Sequence, residues 1–316
     1  MINYPLISIC IPAFNCEEYI SQTLDCLCGQ TYPNLEFIVA DDGSSDATLR
    51  IVSAYRDHRI KILSLRNNGA ASARNCAFKE SFGDYIIFFD ADDYIKPDFI
   101  WQQFYRIMET EETVVVAAWG RFYNGDINAC VPEEMADEVI TFKDWIKRYW
   151  YHCNPMTNPG RVLIPRKTII KAGLWDERLT LNDDLEFFTR VFLNTQRIIL
   201  NTSAMFYYRS GISGLSALKN EEAYSSLLQS ILLSTHACLS HYCDNTLHLS
   251  YANMLQSYIY LSYPAQKHQI ASAKHQISRL AKPNLKFQSS GYTKYLVFFL
   301  GWRATKRIKM ILNQHL

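Results

Sequence analysis

The sequence predicts an α/β fold, a mostly parallel sheet flanked by helices, with a helical C-terminal extension. Three observations carry this reading. Apolar β-type runs alternate with helix-like stretches of about 10 to 15 residues through the first third of the chain. The runs are continuously apolar instead of alternating, as in strands covered on both faces. Three polar clusters follow the carboxyl ends of these runs, the edge where an open parallel sheet binds its ligand.

Taken in order, LISICIP (6–12) is predicted as the first strand and EEYISQTLDCLCGQ as a helix, then LEFIVA (35–40) as a strand and SDATLRIVSAYR as a helix, which Ser45 or Asp46 can cap. KILSL is a strand, GAASARNCAFKESF a helix, and DYIIFF (84–89) the next strand. Strand one ends in PAFN, strand two in DDGSSD, and DYIIFF runs into DADD. Between Val114 and Tyr208 the pattern is mixed: VVVAAW and RVLIP read as strands, FKDWIKRYWYH and NDDLEFFTRVFLN as helices. Residues 219–281 read as two or three helices and 292–312 as one more. A boundary near 211–219 divides a ligand-binding domain, 1–212, from a helical, basic region, 213–316.

Of the 316 residues, 48% are hydrophobic and 20% charged, a globular composition that excludes a disordered chain. MINYPLISICIPAFN runs straight into the first strand pattern, so no leader is expected. YLVFFLGW (295–302) falls far short of the roughly 20 apolar residues of a spanning helix, and the expected protein is soluble or peripheral. Nine cysteines, an odd count, sit mostly in apolar segments (Cys10, Cys26, Cys28, Cys76), as buried reduced thiols of a cytosolic protein do. Charge is split along the chain. Residues 1–244 hold 22 basic and 31 acidic residues, a formal −9, whereas 245–316 hold ten basic residues and no acid.

DADD (90–93) crowds three carboxylates where a strand leaves the core. Unpaired, they repel and raise one another's pKa, so such a cluster gains from a cation. Mg²⁺ or Mn²⁺ takes one or two carboxylates and fills its shell with water and substrate phosphates, which points to a diphosphate ligand. A solvated surface turn is the plain alternative. ADDGSSD (40–46) serves equally as turn chemistry or as acceptors for a base N–H and a ribose hydroxyl. NGAASARN (68–75) opens a helix with small residues; either they pack tightly, or the free N–H groups and Arg74 meet an anion or a neighbouring carboxylate. In LNDDLEFF (181–188), Asp183, Asp184 and Glu186 lie in a first helical turn, where the dipole favours negative charge. The functional alternative is a general base held ionised there.

The segments PLISICIPAFNCEEYISQTLDCLCGQTYPNLEFIVADDGSSDAT, NNGAASARNCAFKESFGDYIIFFDADD and GLWDERLTLNDDLEFFTRV together resemble family 2 of the inverting glycosyltransferases, of the bacterial surface-polysaccharide type. The resemblance covers about residues 4–210. It implies a GT-A fold, a Rossmann-like sheet flanked by helices, with a nucleotide-sugar donor, most often a UDP-sugar, and Mn²⁺ or Mg²⁺. By the same resemblance Pro12, Phe14, Asn15 and Glu17 lie along the nucleoside, Asp42 contacts the base, and Arg74 lies near the nucleotide. Asp93 is implied as the metal ligand with Asp92 beside it and closer to the ribose, Asp90 as a supporting carboxylate, and Asp184 as the catalytic base. The family commonly has Glu-Asp where this chain has Asp183-Asp184, which leaves the choice between the two carboxylates open.

The expected enzyme is therefore a metal-dependent inverting transferase acting on a hydroxyl of a glycan or lipid-linked glycan. A sugar-phosphate nucleotidyltransferase would carry a Gly-rich loop after strand one, and PAFNCEE has none. A two-carboxylate glycosidase would need no nucleotide, and the intact aspartates speak against a scaffold with a non-catalytic transferase fold. In 292–312, Tyr292, Tyr295, Phe298, Phe299 and Trp302 interleave with Lys294, Arg303, Lys306, Arg307 and Lys309, the composition of an interfacial helix on an anionic membrane. A basic helix docked on the acidic body, or a contact within a homo-oligomer, accounts for the same residues. No nucleic-acid-binding module is recognisable. The expected location is cytoplasmic, peripheral at the inner face of the cytoplasmic membrane.

Overall fold

The computed structural model describes residues 4–108, 112–155, 157–212, 220–242 and 244–313. The chain divides into two compact units, one of Met1–Phe142 with Met156–Leu218, the other of Lys143–Pro155 with Lys219–Leu316.

The first unit is built in the order β1 (Ile7–Ala13), α1 (Ile20–Cys28), β2 (Leu35–Asp41), α2 (Thr48–Ala54), β3 (Ile60–Ser64), α3 (Ala70–Lys79), β4 (Tyr85–Phe88), β5 (Tyr94–Ile95), α4 (Phe99–Ile107), β6 (Thr113–Tyr123), β7 (Asp126–Pro132) and β8 (Glu138–Ile140). Next come α5 (Phe142–Trp145), which opens the 143–155 segment, then β9 (Val162–Pro165), α6 (Arg166–Ala172), α7 (Asp183–Leu193) and β10 (Arg197–Arg209). The strands form one sheet in the order β3-β2-β1-β4-β9-β6-β10-β5, with β7 beside β6 and β8 beside β10. β1 pairs in parallel with both β2 and β4, and β2 in parallel with β3. β9 is antiparallel to β4 and to β6, and so joins the parallel half to the rest.

The continuously apolar strands have the predicted burial: Ile7, Ile9, Ile11, Phe37, Val39 and Ile87 are fully buried in one core. This is the α/β sheet expected of the GT-A fold. Because β1, β2 and β4 run the same way, their carboxyl ends meet at a single edge. The N-cap of α2 is Ala47, and it is Asp46 just before it, not Ser45, that accepts from the first helical amide, Thr48, at 2.9 Å.

The second unit holds α8 (Glu221–His241), α9 (His248–Ser262), α10 (Lys267–Ser278) and α11 (Thr293–Asn313), the last broken at Gly301. Segment 143–155, read from sequence as part of the first domain, groups here. Asn253 donates to the Tyr151 carbonyl at 3.0 Å, Asn284 to the Tyr151 hydroxyl at 2.8 Å, and Lys143 pairs with Asp244. The sequence boundary at 212/213 borders residues 213–219, which lie outside the described residues. No helix among the described residues is long and apolar enough to cross a membrane.

Candidate active site

β1 and β2 end in register at Ala13 and Asp41, and the loops beyond them are laced together. Asn15, in the left-handed region at φ 46°, donates its amide to Ser44 Oγ (3.0 Å) and accepts from the Ser45 amide (2.8 Å). Glu17 accepts from the Ala47 amide at 2.7 Å while its own amide donates to Asp46 at 3.1 Å. Asn15 and Glu17, expected along a nucleoside, thus knit one loop to the other. Pro12 is part-buried, and Phe14 stays 47% exposed with its ring available to a ligand.

Asp42 is buried, and both its oxygens are engaged, accepting from the amides of Asn68 (3.0 Å) and Gly69 (2.8 Å). Gly69 sits at φ 93°, a conformation that glycine adopts without strain, and presents its N–H at the start of α3 to this carboxylate. The neighbouring Asp41 differs. It is also buried, yet Oδ1 has no hydrogen-bond partner among the described residues, and Oδ2 accepts only a long 3.3 Å bond from the Ser44 amide. Of the two adjacent aspartates read from sequence as acceptors, Asp41 is the one that keeps an oxygen without a partner among the described residues.

The acidic loop after β4 is held from two sides. Thr23 of α1 donates to the carbonyls of Ala91 and Asp93 at 3.0 Å each. From the end of β10, Arg209 donates its backbone amide to Asp93 Oδ1 (2.8 Å), its Nε to the Asp92 carbonyl (2.6 Å), and its other end to Gln22. Its guanidinium lies 4.9 Å from the ring centre of Tyr19 and 4.6 Å from that of Phe122. Asp93 is 1% exposed, and its Oδ2 is buried without a partner among the described residues. Asp92 is only part-buried and is the more accessible of the two. Burial, then repulsion from Asp92 and Asp90, raises the Asp93 carboxyl; burial and Asp90 raise that of Asp92.

This donor set suits a divalent ion: two neighbouring carboxylates, each pushed toward the neutral form, one with an orphaned buried oxygen. Among the described residues no group of three or more His, Cys, Asp or Glu side chains forms a ready-made metal centre. A Mg²⁺- or Mn²⁺-type ion held by one or two carboxylates and completed by substrate phosphates needs none.

Arg74 joins this loop to α7. Buried on α3, it donates to Asp90 Oδ1 at 2.8 Å and to Asp183 Oδ2 at 2.9 Å, and lies 4.5 Å from the Trp175 ring centre. Burial opposes its charge, but Asp90 and Asp183 more than restore it. Beside it, Asn75 clasps the Trp175 backbone in both directions at 3.0 and 2.9 Å, and Trp175 stacks on Phe187 of α7 at 4.0 Å. The helix bearing the acidic pair is therefore anchored to α3 and β4.

Asn182 turns the chain into α7 at φ 61°. Asp184 Oδ1 accepts from the Leu185 amide at 2.9 Å, and Oδ2 takes no hydrogen bond among the described residues. Burial, then the Asp183 charge, raises the Asp184 carboxyl to about 7, with Arg74 pulling the other way. Of the two aspartates, Asp183 is the one paired with arginine and Asp184 the one with an oxygen to offer. A carboxylate titrating near neutrality at a helix start has the character of a general base.

This edge of the sheet thus carries the buried carboxylates of Asp41 and Asp42, the Asp92–Asp93 pair, and the Asp183–Asp184 pair tied to the same loop by Arg74. The chain matches the family model described as Glycosyl transferase family 2 over residues 8–169. It is 28% identical to the "Uncharacterized glycosyltransferase EpsJ" of Bacillus subtilis (strain 168) over 244 residues, 75% of this chain and 71% of that protein. It is 31% identical to the "UDP-Glc:alpha-D-GlcNAc-diphosphoundecaprenol beta-1,3-glucosyltransferase WfaP" of Escherichia coli over 258 residues, 77% of this chain and 94% of that one. In fold it is similar to residues 1–349 of S. aureus TarS in complex with UDP-GlcNAc, with a TM-score of 0.66 and 22% identity over 85% of this chain and 79% of that one. The chain belongs to glycosyltransferase family 2, with the GT-A fold, and is a glycosyltransferase. With that assignment the nucleotidyltransferase and glycosidase readings fall away.

Proposed function

We propose that the chain moves a sugar from a UDP-sugar to a hydroxyl of a glycan or lipid-linked glycan, with inversion and without a covalent intermediate. The observation that carries this is the double pairing of Arg74, which brings the acidic loop after β4 and the start of α7 together, beside an Asp184 whose Oδ2 takes no hydrogen bond among the described residues. In a single displacement, the acceptor O–H proton passes to Asp184, the acceptor oxygen bonds to the anomeric carbon, and the bond from that carbon to the diphosphate breaks. Asp184 is the base and Asp183 its positioning neighbour.

Phe14 offers a ring face, and Pro12 a rigid wall, to the nucleoside; Asp41 Oδ1 offers a buried acceptor to the base, beside loops that Asp42, Asn15 and Glu17 tie together. Asp92, with Asp93, would hold Mn²⁺ or Mg²⁺, which when bound neutralises charge on the departing diphosphate. WfaP is named for a UDP-Glc donor and a diphosphoundecaprenol-linked acceptor, and TarS was crystallised with UDP-GlcNAc; both support a UDP-sugar donor, and the first a lipid-linked acceptor. Such an acceptor would hold the enzyme at the inner face of the cytoplasmic membrane.

The test is thermal shift with a panel of UDP-sugars and Mn²⁺, followed by transfer with the stabilising donor. A ligand at 100 times its Kd stabilises by about 2.7 kcal/mol. No stabilisation by any UDP-sugar would overturn the donor assignment.

A further inference from the structure

Gly301, at φ 74° and ψ 163°, breaks α11 into two parts with different surroundings. The distal part is seated in the helical unit. Trp302 packs against Tyr260 (4.8 Å), Tyr263 (5.1 Å) and Phe287 (5.8 Å), Thr305 is fully buried, and Lys306 donates to the carbonyls of Tyr260 and Leu261 at the end of α9. The proximal part has no such seat: Tyr292, Tyr295, Phe298 and Phe299 are 90, 68, 83 and 75% exposed. Their spacing of three and four residues lines 292, 295 and 299 along one helical face, with 298 beside it. Four aromatic side chains left in water on two turns mark an interaction surface.

The charge around this stripe selects its partner. Lys294, Arg303 and Arg307 are exposed on the same helix, Lys282 and Lys286 on the segment leading to it, and residues 245–316 contain no Asp or Glu. Two copies meeting through this face would bring these cations together with no local counter-charge. An anionic lipid surface supplies both an apolar phase for the rings and phosphates for the cations.

We propose that 292–300 is the lipid-contacting element of the chain, its rings in the interface of an anionic bilayer, and that 302–313 is the fixed base from which it projects. This narrows the 292–312 helix of the sequence reading to its first half, because Trp302 and Lys306 already face protein. For its use the surface depends on the lipid-linked acceptor proposed above; for its existence it depends only on the exposed stripe.

The experiment is flotation of the full chain with vesicles of phosphatidylcholine alone or with about a third phosphatidylglycerol, together with UDP affinity and oligomeric state for each protein. The wild type should float with the anionic vesicles and lose that binding in high salt. Tyr295→Ser/Phe298→Ser/Phe299→Ser should weaken binding at least tenfold, and Lys282→Gln/Lys286→Gln/Lys294→Gln about a hundredfold. Both variants should keep the wild-type melting temperature and UDP affinity, since every substituted side chain faces solvent. Equal flotation of wild type and aromatic variant, binding indifferent to lipid charge, or a stripe whose loss only converts a dimer to a monomer would each overturn the proposal. Loss of UDP binding in the wild type would instead count against the donor reading.

Discussion

Substituting Arg74 by Met separates two accounts of this residue. The sequence left Arg74 to meet either an anion of the nucleotide or a neighbouring carboxylate, and in the structure it clamps Asp90 to Asp183. The arginine side chain is 8% exposed and its partners 28% and 18%, so the pairs are mostly shielded from water. Removing one partner of a buried pair costs about 3–5 kcal/mol, and the partial exposure of the carboxylates favours the lower end. At about 2–4 °C per kcal/mol for a unit of this size, the melting temperature should fall by roughly 6–12 °C.

The catalytic effect has a definite sign. Arg74 lowers the Asp184 pKa, so its loss raises that pKa further above about 7. The acid limb of kcat/KM then moves to higher pH, and below the limb each unit of displacement loses about tenfold. Misplacement of the base adds a loss of about 10²-fold in kcat. UDP affinity should stay within about twofold, and Arg74→Lys, which keeps one ion pair, should recover part of kcat. The assay is the pH profile of transfer beside calorimetric titration of UDP. An unmoved acid limb with a large loss of UDP affinity would refute the clamp and return Arg74 to the nucleotide.

Three further outcomes follow from the same geometry. Asp184→Asn should stabilise the fold increasingly as pH rises from about 4 to above 7: the folded pKa, about 7, exceeds that of an unfolded aspartate, so the wild type loses stability across this window. The gain above pH 7 is about 2–4 kcal/mol, read from paired melting curves; a constant difference between the curves would contradict the raised pKa. Asp42→Ala leaves the Asn68 and Gly69 amides without their acceptor and should cost about 1–3 kcal/mol in urea unfolding. Asp41→Asn should instead leave stability within about 1 kcal/mol while weakening UDP binding, and an unchanged UDP affinity would remove Asp41 from the site.

The parallel half of the sheet was legible because its physics is local. β1, β2 and β4 are unbroken apolar runs whose ends carry polar clusters, and adjacent parallel strands bring those ends together. The rest depended on contacts the chain does not advertise. β10 is interrupted by Asn201-Thr202-Ser203, where its register with β6 slips, and β5 is two residues long, so neither has a recognisable period. Whether Asp41 or Asp42 offers a free oxygen is decided by the amides of Asn68 and Gly69, 26 and 27 residues from Asp42. The choice between Asp183 and Asp184 turns on an arginine 109 residues from Asp183. Arg209 had no sequence signal, since its grip on the acidic loop exists only when β10 lies beside β5. FKDWIKRYWYH (142–152) reads as an ordinary helix, and its unit is revealed by contacts with Asp244, Asn253 and Asn284 far along the chain.

The most direct measurement is transfer by Asp184→Asn under conditions where the wild type is saturated with UDP-sugar and Mn²⁺. The amide keeps the shape and the Leu185 contact but removes the proton acceptor. With Asp184 as the base, kcat should fall about 10²–10⁴-fold with UDP affinity intact. Wild-type turnover in that variant would mean that another group takes the proton.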